Sequence, residues 1–257
     1  MRSSVKTLAS RFSKVGYYLL SIVLLIALYS GFSFMLPRLP NIQRLFLVAV
    51  RDTLSGSILL HLAVSTGRML AGYAVGAVIG IIIGIIMGYL RIFDLLISPV
   101  YNFLRAIPPI AFVTLFILWF GIGEFSKILI IVFAVAMVMI IPTYHAIKDV
   151  PVVYVRAALM LGARRIHLLS KVVLRAALPR ILEGLRSTLQ VAWAVIIAAE
   201  LIASIRGIGY YIIYADWTYN LAAMIFGILN IALVGFCLDV IASKIIFKYT
   251  GWMRRVE

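Results

Sequence analysis

Long runs of uncharged, apolar residues dominate this chain and restrict what it can fold into. Residues 17–36 are twenty positions without a charged side chain, and residues 69–90 are another twenty-two. About twenty apolar residues in a helix span the hydrocarbon of a bilayer, where a helix satisfies its own backbone polar groups. Because only 13% of all residues are charged and 64% are hydrophobic, the chain is predicted to be an all-α, polytopic membrane protein.

The apolar runs are sufficient for about six transmembrane helices in a single transmembrane domain, residues 1–257. The first run lacks the short apolar core and the cleavage site of a secretory signal, so we expect it to be retained. Residues 37–60 are expected to form an external loop with an interfacial helix. The predicted spans are residues 17–36, 69–90, 95–120, 128–144, 189–204 and 221–246.

Lysine and arginine are distributed unevenly between the two predicted sides of the membrane. Seventeen lie on the side that holds both termini and the interval 151–186, and five lie on the other side. Because cytoplasmic loops carry the excess of Lys and Arg, we expect both termini and this interval to be cytoplasmic, in a bacterial-type inner membrane. Topology and attraction to anionic membrane lipid then explain the net charge of +15, and no nucleic-acid partner is expected.

Catalytic and metal-binding patterns are missing from the sequence. The single cysteine, Cys237, excludes a disulfide within the chain. Nine acidic residues are spread too thinly to supply a nucleophile with its base, so we expect no catalytic residue and no enzyme activity. His61, His145 and His167 have no second metal ligand at a suitable spacing. We therefore expect neither a metal nor another cofactor in this chain.

Five glycines recur at every fourth residue in the second predicted span. Positions i and i+4 lie on one slowly rotating stripe of a helix, and missing side chains let a neighbouring helix approach closely. The row indicates close packing inside a helix bundle, either as a static contact or as a helix that slides during a conformational cycle. The glycines are Gly72, Gly76, Gly80, Gly84 and Gly88.

The third predicted span is interrupted near its middle. Pro108 and Pro109 remove two backbone donors and block the helix before them. Irregular backbone at this depth is tolerated only against protein or a water-filled cavity. Arg105, beside the break, could present its charge to an anion, but we expect it to reach toward the interface or to pair with an acid.

The basic interval 151–186 separates the fourth predicted span from the fifth. Helix-forming residues fill 154–160, and Gly162 is placed to end that helix in the left-handed conformation. A second amphipathic helix fits residues 164–175, and Pro179 is expected to begin the return into the membrane. The pair could project as a knob into a groove of another protein, or lie flat on anionic lipid. The apolar face of the second helix would consist of Ile166, Leu169, Val172 and Val173.

This interval resembles the cytoplasmic "EAA" loop of permease subunits in binding-protein-dependent ABC importers. That loop reads Glu-Ala-Ala, three residues, Gly, nine residues, Ile, one residue, Leu-Pro. The spacing is kept by Ala157, Ala158, Gly162, Val172 and Leu174.

The chain departs from that loop at two positions. Arg156 stands in place of the Glu, and Arg175 stands in place of the Pro. The loss of the Glu removes a possible ion pair with a basic residue of the ATPase, whereas Arg156 would suit an acidic surface. We expect the contact with the ATPase to differ from that of relatives at these two positions.

Further segments resemble the nitrate, sulfonate and taurine branch of these permeases. Residues 174–186 read LRAALPRILEGLR, which is similar to the branch pattern LPAALPxILxGLR. The other similar segments are Ile107, Pro108 and Pro109, LFILWFGIGEFSKI at 115–128, Trp193, Ala-Ala-Glu at 198–200 and Gly-Ile-Gly-Tyr at 207–210.

The resemblance implies a type I ABC importer permease fold and a pore made with a second copy of the chain. Two ATP-binding subunits would dock on the loop 151–180 of each copy, and an extracytoplasmic substrate-binding protein would deliver the solute. ATP and Mg would be bound by the partner ATPase. The residues implied in coupling to the ATPase are Arg156, Ala157, Ala158, Gly162, Ala163, Arg164, Arg165, Val172 and Leu174.

Polar and aromatic groups on spans three to six are candidates for the translocation path. Ionisable groups inside a membrane are functional hypotheses by default. The charge of Glu200 would oppose an anion, so for this residue we favour a structural ion pair with an arginine. The candidates are Arg105, Thr114, Tyr144, Gln190, Trp193, Glu200 and Asn230.

The predicted function is import of a small organic or inorganic anion such as a sulfonate, taurine or nitrate, coupled to ATP by alternating access. Bicarbonate, an aromatic acid and a vitamin or pyrimidine precursor remain open within the same transporter class. The alternative class is an ion-coupled secondary transporter, which also uses broken helices and buried charge. Such transporters often show inverted repeats, and we detect none in this sequence.

Overall fold

The computed structural model describes residues 39–250, preceded only by the isolated positions Gly16 and Gly31. Regular structure in this range is helical. A 3₁₀ turn, Pro109–Ala111, joins α3 to α4, and a π-helical segment, Leu168–Val173, lies within α7. The helices are α1 Ile42–Leu54, α2 Ser57–Tyr89, α3 Arg91–Leu104, α4 Phe112–Phe120, α5 Glu124–Lys148, α6 Val152–Met160, α7 Arg165–Ala203, α8 Ile208–Trp217 and α9 Leu221–Thr250.

Four helices in this range are long and apolar enough to cross a membrane: α2, α5, α7 and α9. Helices α3 and α4, bent by 72° relative to each other at the proline pair, are together long and apolar enough for a fifth span. The predicted interruption of the third span is therefore confirmed. The predicted first span, residues 17–36, lies outside the described residues.

The second span begins earlier than predicted. Helix α2 starts at Ser57 and not at residue 69, because its first turns are stabilised by protein contact rather than by lipid. Ile58 packs against Ile208 and Tyr211 of α8. The Tyr211 hydroxyl donates a 2.5 Å hydrogen bond to Asp52 of α1, and burial together with this carboxylate raises the pKa of Tyr211. Helices α1 and α8 thus cover the first turns of α2.

The helix that carries the fifth predicted span begins at Arg165, well before residue 189. The return of the chain into the membrane at Pro179 stays a prediction. Pro179 lies inside α7. Val173, Ala177 and Ile181 are buried at a spacing of four, while the arginines between them are exposed. The basic run is thus one face of an amphipathic helix, which a hydropathy average over the whole run does not reveal.

Helices α2 and α5 pack in parallel along the glycine row. A Cβ atom added at Gly80 would lie 2.7 Å from the Cβ of Met139 and 2.8 Å from the carbonyl oxygen of Ala136. The other four glycines of the row meet α5 equally closely, so a methyl group has no room at any of them. The side chains of α5 along this contact also recur at every fourth position: Ile131, Val135, Met139, Thr143 and Ile147.

The largest apolar core lies where α2, α4, α5 and α7 meet. Met69, Phe116, Val135 and Trp193 are buried together there. The Trp193 indole Nε1 also donates a 3.1 Å hydrogen bond to the Ile231 carbonyl of α9. Three features lie around this core: a turn between α6 and α7, a cavity at the α3–α4 break, and a charged cluster at the end of the bundle opposite to the turn.

Candidate coupling surface and translocation cavity

The turn between α6 and α7 is a tight reversal centred on Gly162. Its φ of +79° confirms the predicted left-handed conformation, which glycine adopts without the steric cost of a Cβ. The amide of Gly162 donates to the Leu159 carbonyl at 2.9 Å, and the amide of Ala163 donates to the Ala158 carbonyl at 3.0 Å. These bonds satisfy carbonyls at the end of α6 and fix the turn.

Apolar side chains project from this turn and arginines surround them. Met160 and Leu161 are 90% and 89% exposed. Three arginines next to them are also exposed and form no ion pair with an acid in residues 39–250: Arg156, Arg164 and Arg165. We call residues 151–167 the coupling corner. Within it Ala157 is exposed, while Ala158 and Ala163 are half-buried.

The predicted single apolar face of the second helix is wrong at Ile166. Ile166 is 79% exposed, whereas Val173 is buried and Leu169, Val172 and Leu174 pack partly against the core. The π-helical segment Leu168–Val173 intervenes, and its wider turn changes the angular position of residues that precede it. Ile166 therefore belongs to the exposed corner.

A cleft of about 600 Å³ separates α6 from the start of α7. Arg180 forms an ion pair with Asp149 at its edge. Lys171 and Arg175 also line the cleft, and neither pairs with an acid within the described range. The cytoplasm-facing surface predicted from sequence is thus strongly cationic around the corner.

A second cavity, of about 400 Å³, lies at the break between α3 and α4. Arg105 is its only charged lining residue. Of the two roles expected for Arg105, the pairing with an acid is not found in residues 39–250. The polar groups of Tyr101 and Ser187 are already engaged, because the Tyr101 hydroxyl donates to the Met137 carbonyl at 2.7 Å and the Ser187 hydroxyl to Gly184 at 2.9 Å. The remaining lining residues are Leu104, Ile107, Pro109, Phe133, Met137, Val138, Ile141 and Pro142.

Arg68 and Glu200 form a buried ion pair at the opposite end of the bundle. The Arg68 Nη1 atom donates to Glu200 Oε1 at 2.7 Å and to the Arg206 carbonyl at 2.7 Å. Its Nε and Nη2 atoms donate to the carboxylate of Glu124 at 2.5 Å each. The pair favoured for Glu200 on sequence grounds is therefore present, with Arg68 as its partner.

Backbone and hydroxyl donors complete the surroundings of Glu200. The Ser65 hydroxyl donates to its carboxylate at 2.7 Å, and the Gly209 amide donates at 3.0 Å. A Cβ at Gly207 would lie 2.2 Å from this carboxylate, which explains the glycine there. Sequence reasoning missed Ser65 and Arg68; the available signal was that Arg68 and Glu200 are lone opposite charges at the margins of apolar runs.

The other predicted path residues do not converge on one site. Tyr144 donates to Asp94 at 3.0 Å, close to Lys148. Asn230 donates to a carbonyl of its own helix, and Gln190 reaches the Gly235 carbonyl at 3.5 Å. Thr114 is exposed on α4. Of the seven candidates, Arg105 alone lines the cavity at the break.

Residues 76–249 match the family model described as binding-protein-dependent transport system inner membrane component. The chain belongs to this family. It is the permease subunit of an ABC importer, a multi-pass inner-membrane transport component and not an enzyme. The family also implies ATPase and binding-protein partners.

Curated relatives extend the match over most of the permease. A protein of Methanocaldococcus jannaschii named as an ABC transporter permease is 34% identical over 95% of this chain and 93% of its own length. The taurine transport system permease protein of Escherichia coli is 38% identical over 63% of this chain and 59% of its own length. The bicarbonate transport system permease protein of Synechococcus elongatus is 31% identical over 74% and 66% respectively.

Solved structures share the fold. A methionine ABC transporter in inward-facing conformations superposes with a TM-score of 0.61 at 18% identity, covering 80% of the permease and 97% of the compared chain. An amino acid ABC transporter gives the same TM-score at 16% identity. The permease therefore has the type I ABC importer fold that its sequence predicted.

Proposed function

We propose that two copies of this permease form the path of an ATP-driven importer for a small oxyanion and that each copy docks an ATPase through the coupling corner. In this proposal the corner and both termini are cytoplasmic, the ATPases bind ATP and Mg, and an extracytoplasmic binding protein delivers the solute. Closure of the ATPase pair would move the corner, and this movement would alternate the access of the path.

The exposed apolar tip of the coupling corner is the observation that carries this proposal. Met160 and Leu161 leave large apolar side chains in water, and an exposed apolar patch with a polar rim is typical of a protein interaction site. The arginine rim adds complementarity to an acidic partner surface. Docking in a protein groove accounts for the exposure of these two side chains, which lie at the end of α6.

The alternative of a corner lying flat on lipid fits less well. An interfacial helix separates an apolar face from a charged face. In α6, Val152, Val153 and Tyr154 are consecutive, all three are exposed, and they therefore lie on different sides of the first turn. The helix has no single apolar face that a membrane surface could cover.

The substrate class rests on the relatives. Their names specify taurine and bicarbonate, which share a negatively charged oxygen head group. We infer that the permease carries an oxyanion of similar size.

A charge placed on the tip tests the docking. We expect Leu161→Glu to abolish co-purification of the cognate ATPase, because the carboxylate would have to enter an apolar socket. Ile205→Glu is the matched control: Ile205 is 81% exposed and follows the opposite end of α7, so the ATPase should be retained. The measurement is the stoichiometry of ATPase to permease after gentle extraction.

A second variant tests coupling without adding charge. Gly162→Val should leave the permease inserted but reduce solute-stimulated ATP hydrolysis, because valine is strained at a φ of +79°. Retention of the ATPase by Leu161→Glu would refute docking through the coupling corner. Uptake that survives ATP depletion while the ion gradient is intact would refute the coupling of transport to ATP.

A further inference from the structure

We propose that the cavity at the α3–α4 break is the binding site for the transported solute at the middle of the membrane, and that it selects an organic oxyanion with a short apolar body. Arg105 would bind the charged head and the apolar walls would bind the body. This inference rests on the proposed function and adds the site and the chemical class of its substrate.

Two predicted spans place the cavity near the middle of the membrane. Arg105 lies at the centre of the broken span that runs from Arg91 to Phe120. Met137 lies at the centre of α5, which is 25 residues long. A path for solute must pass this depth, so the cavity is correctly located to hold a solute during transit.

The charge at this depth needs a partner. A cation at the centre of a bilayer costs several kcal/mol unless it faces water or an anion. Arg105 is exposed and forms no ion pair with an acid in residues 39–250. A guanidinium can donate two parallel hydrogen bonds to two oxygens of a sulfonate or carboxylate. Arg68 cannot take this role, because two carboxylates already occupy it.

The walls around Arg105 determine which oxyanion fits. Tyr101 and Ser187 use their hydroxyl protons on backbone carbonyls, and the rest of the lining is apolar. Nitrate or bicarbonate would exchange a full hydration shell for one arginine, which is unfavourable. An alkyl or aryl group beside the charged head would instead gain from burial in a cavity of about 400 Å³.

Binding of a homologous series of probes tests the site. The permease with its ATPases, in nanodiscs and without the binding protein, is titrated calorimetrically with ethane-, butane- and hexanesulfonate and with nitrate; protein-free nanodiscs correct for partition into lipid. We expect affinity to rise about two- to fourfold per added methylene. Butanesulfonate should bind at least about tenfold more tightly than nitrate, because only it can fill the apolar walls.

Variants assign the binding to this cavity. Arg105→Gln should weaken butanesulfonate binding by about tenfold or more and remove the preference for butanesulfonate over 1-butanol. Arg91→Gln, at the other end of α3 and outside the cavity, should change neither. Ser187→Phe should weaken all the sulfonates by filling space, and it provides an independent test if Arg105→Gln does not fold.

Two results would overturn the inference. One is equal affinity for nitrate and butanesulfonate, and the other is butanesulfonate binding that neither Arg105→Gln nor Ser187→Phe alters. If either result appears while the ATPase still co-purifies, the site is wrong but the proposed function stands. Loss of the ATPase from the wild-type permease would instead refute the proposed function.

Discussion

Glu200 is a buried charge with its acceptors occupied. Its carboxylate receives hydrogen bonds from Ser65, Arg68 and the Gly209 amide, and the arginine balances its charge. The carboxylate oxygens are thus already engaged by protein donors and are not available to a passing solute. The residue therefore joins α2, α7 and the start of α8 and does not line a path.

We expect Glu200→Gln to destabilise the permease strongly. A glutamine cannot accept hydrogen bonds on both sides of its side-chain head, so its NH₂ group would face at least one of these donors. Removing one member of a buried ion pair typically costs about 3–5 kcal/mol. The measurement is thermal unfolding in mild detergent.

Arg186→Gln is the control for that measurement. Arg186 pairs with Asp239 at 2.6 Å in a partly exposed position, where a pair contributes about 0–1 kcal/mol. An equal loss of thermal stability in the two variants would contradict the prediction, because it would mean that the buried pair of Glu200 contributes no more than the exposed pair of Arg186.

The interactions and conformations of individual residues were not all equally predictable from the sequence. The need of Glu200 for an arginine followed from its charge, but the identity of Arg68, 132 positions earlier, depends on how α2 packs against α7. For Arg105 the sequence left two roles open, and no acid pairs with it in residues 39–250. Gly162 was predicted correctly, since its conformation is a local property of one turn.

At the scale of elements, α2 and α5 form one tightly fitted pair. Their contact extends from Gly72 to Gly88 with no space for a side chain on α2. The sequence left open whether this row is static or sliding. The close approach at all five glycines favours a fixed contact, because sliding α2 along α5 would bring bulky residues into the places of the glycines.

A single methyl group tests the fit of this pair. We expect Gly80→Ala to destabilise the permease by about 1–3 kcal/mol through overpacking, because the new Cβ would meet the backbone of α5 at Ala136. Gly67→Ala is the matched control on the same helix: nothing lies within 4 Å of its added Cβ, and alanine favours helix over glycine by up to about 1 kcal/mol. Chemical denaturation in mixed micelles measures both, and a stable Gly80→Ala would contradict the packing.

Helix boundaries were the least predictable elements. Hydropathy places a helix where apolar residues are consecutive, so it located α5 and α9 well. It missed the first turns of α2, which protein covers, and the first turns of α7, where charges share a helix with buried Ala177 and Ile181. In both cases a neighbouring helix supplies the apolar surroundings that the sequence window does not contain.

At the scale of the whole molecule, the coupling corner and the Arg68 cluster lie at opposite ends of the same helices. Glu124 is the first residue of α5 and Arg68 lies in the first half of α2, whereas the corner follows the end of α5. The excess of lysine and arginine on one side predicts that the corner end is cytoplasmic.

Labelling of introduced cysteines tests this orientation. In a Cys237→Ser background, Ile205→Cys should react with a membrane-impermeant maleimide on intact cells, and Leu161→Cys should react only after the membrane is opened. Both side chains are more than four-fifths exposed, so access and not burial decides the reaction. The reverse pattern would invert the topology and place the corner away from any cytoplasmic ATPase.

The glycine row has a consequence for how this protein can vary between species. The glycine face of α2 has no side chains whose size could change. The side chains in the contact therefore all come from α5: Ile131, Val135, Met139, Thr143 and Ile147. Substitutions on that side can adjust the fit in small steps, whereas any replacement in the row alters the distance between the two backbones. Natural variants should therefore differ along α5 while the row in α2 stays unchanged.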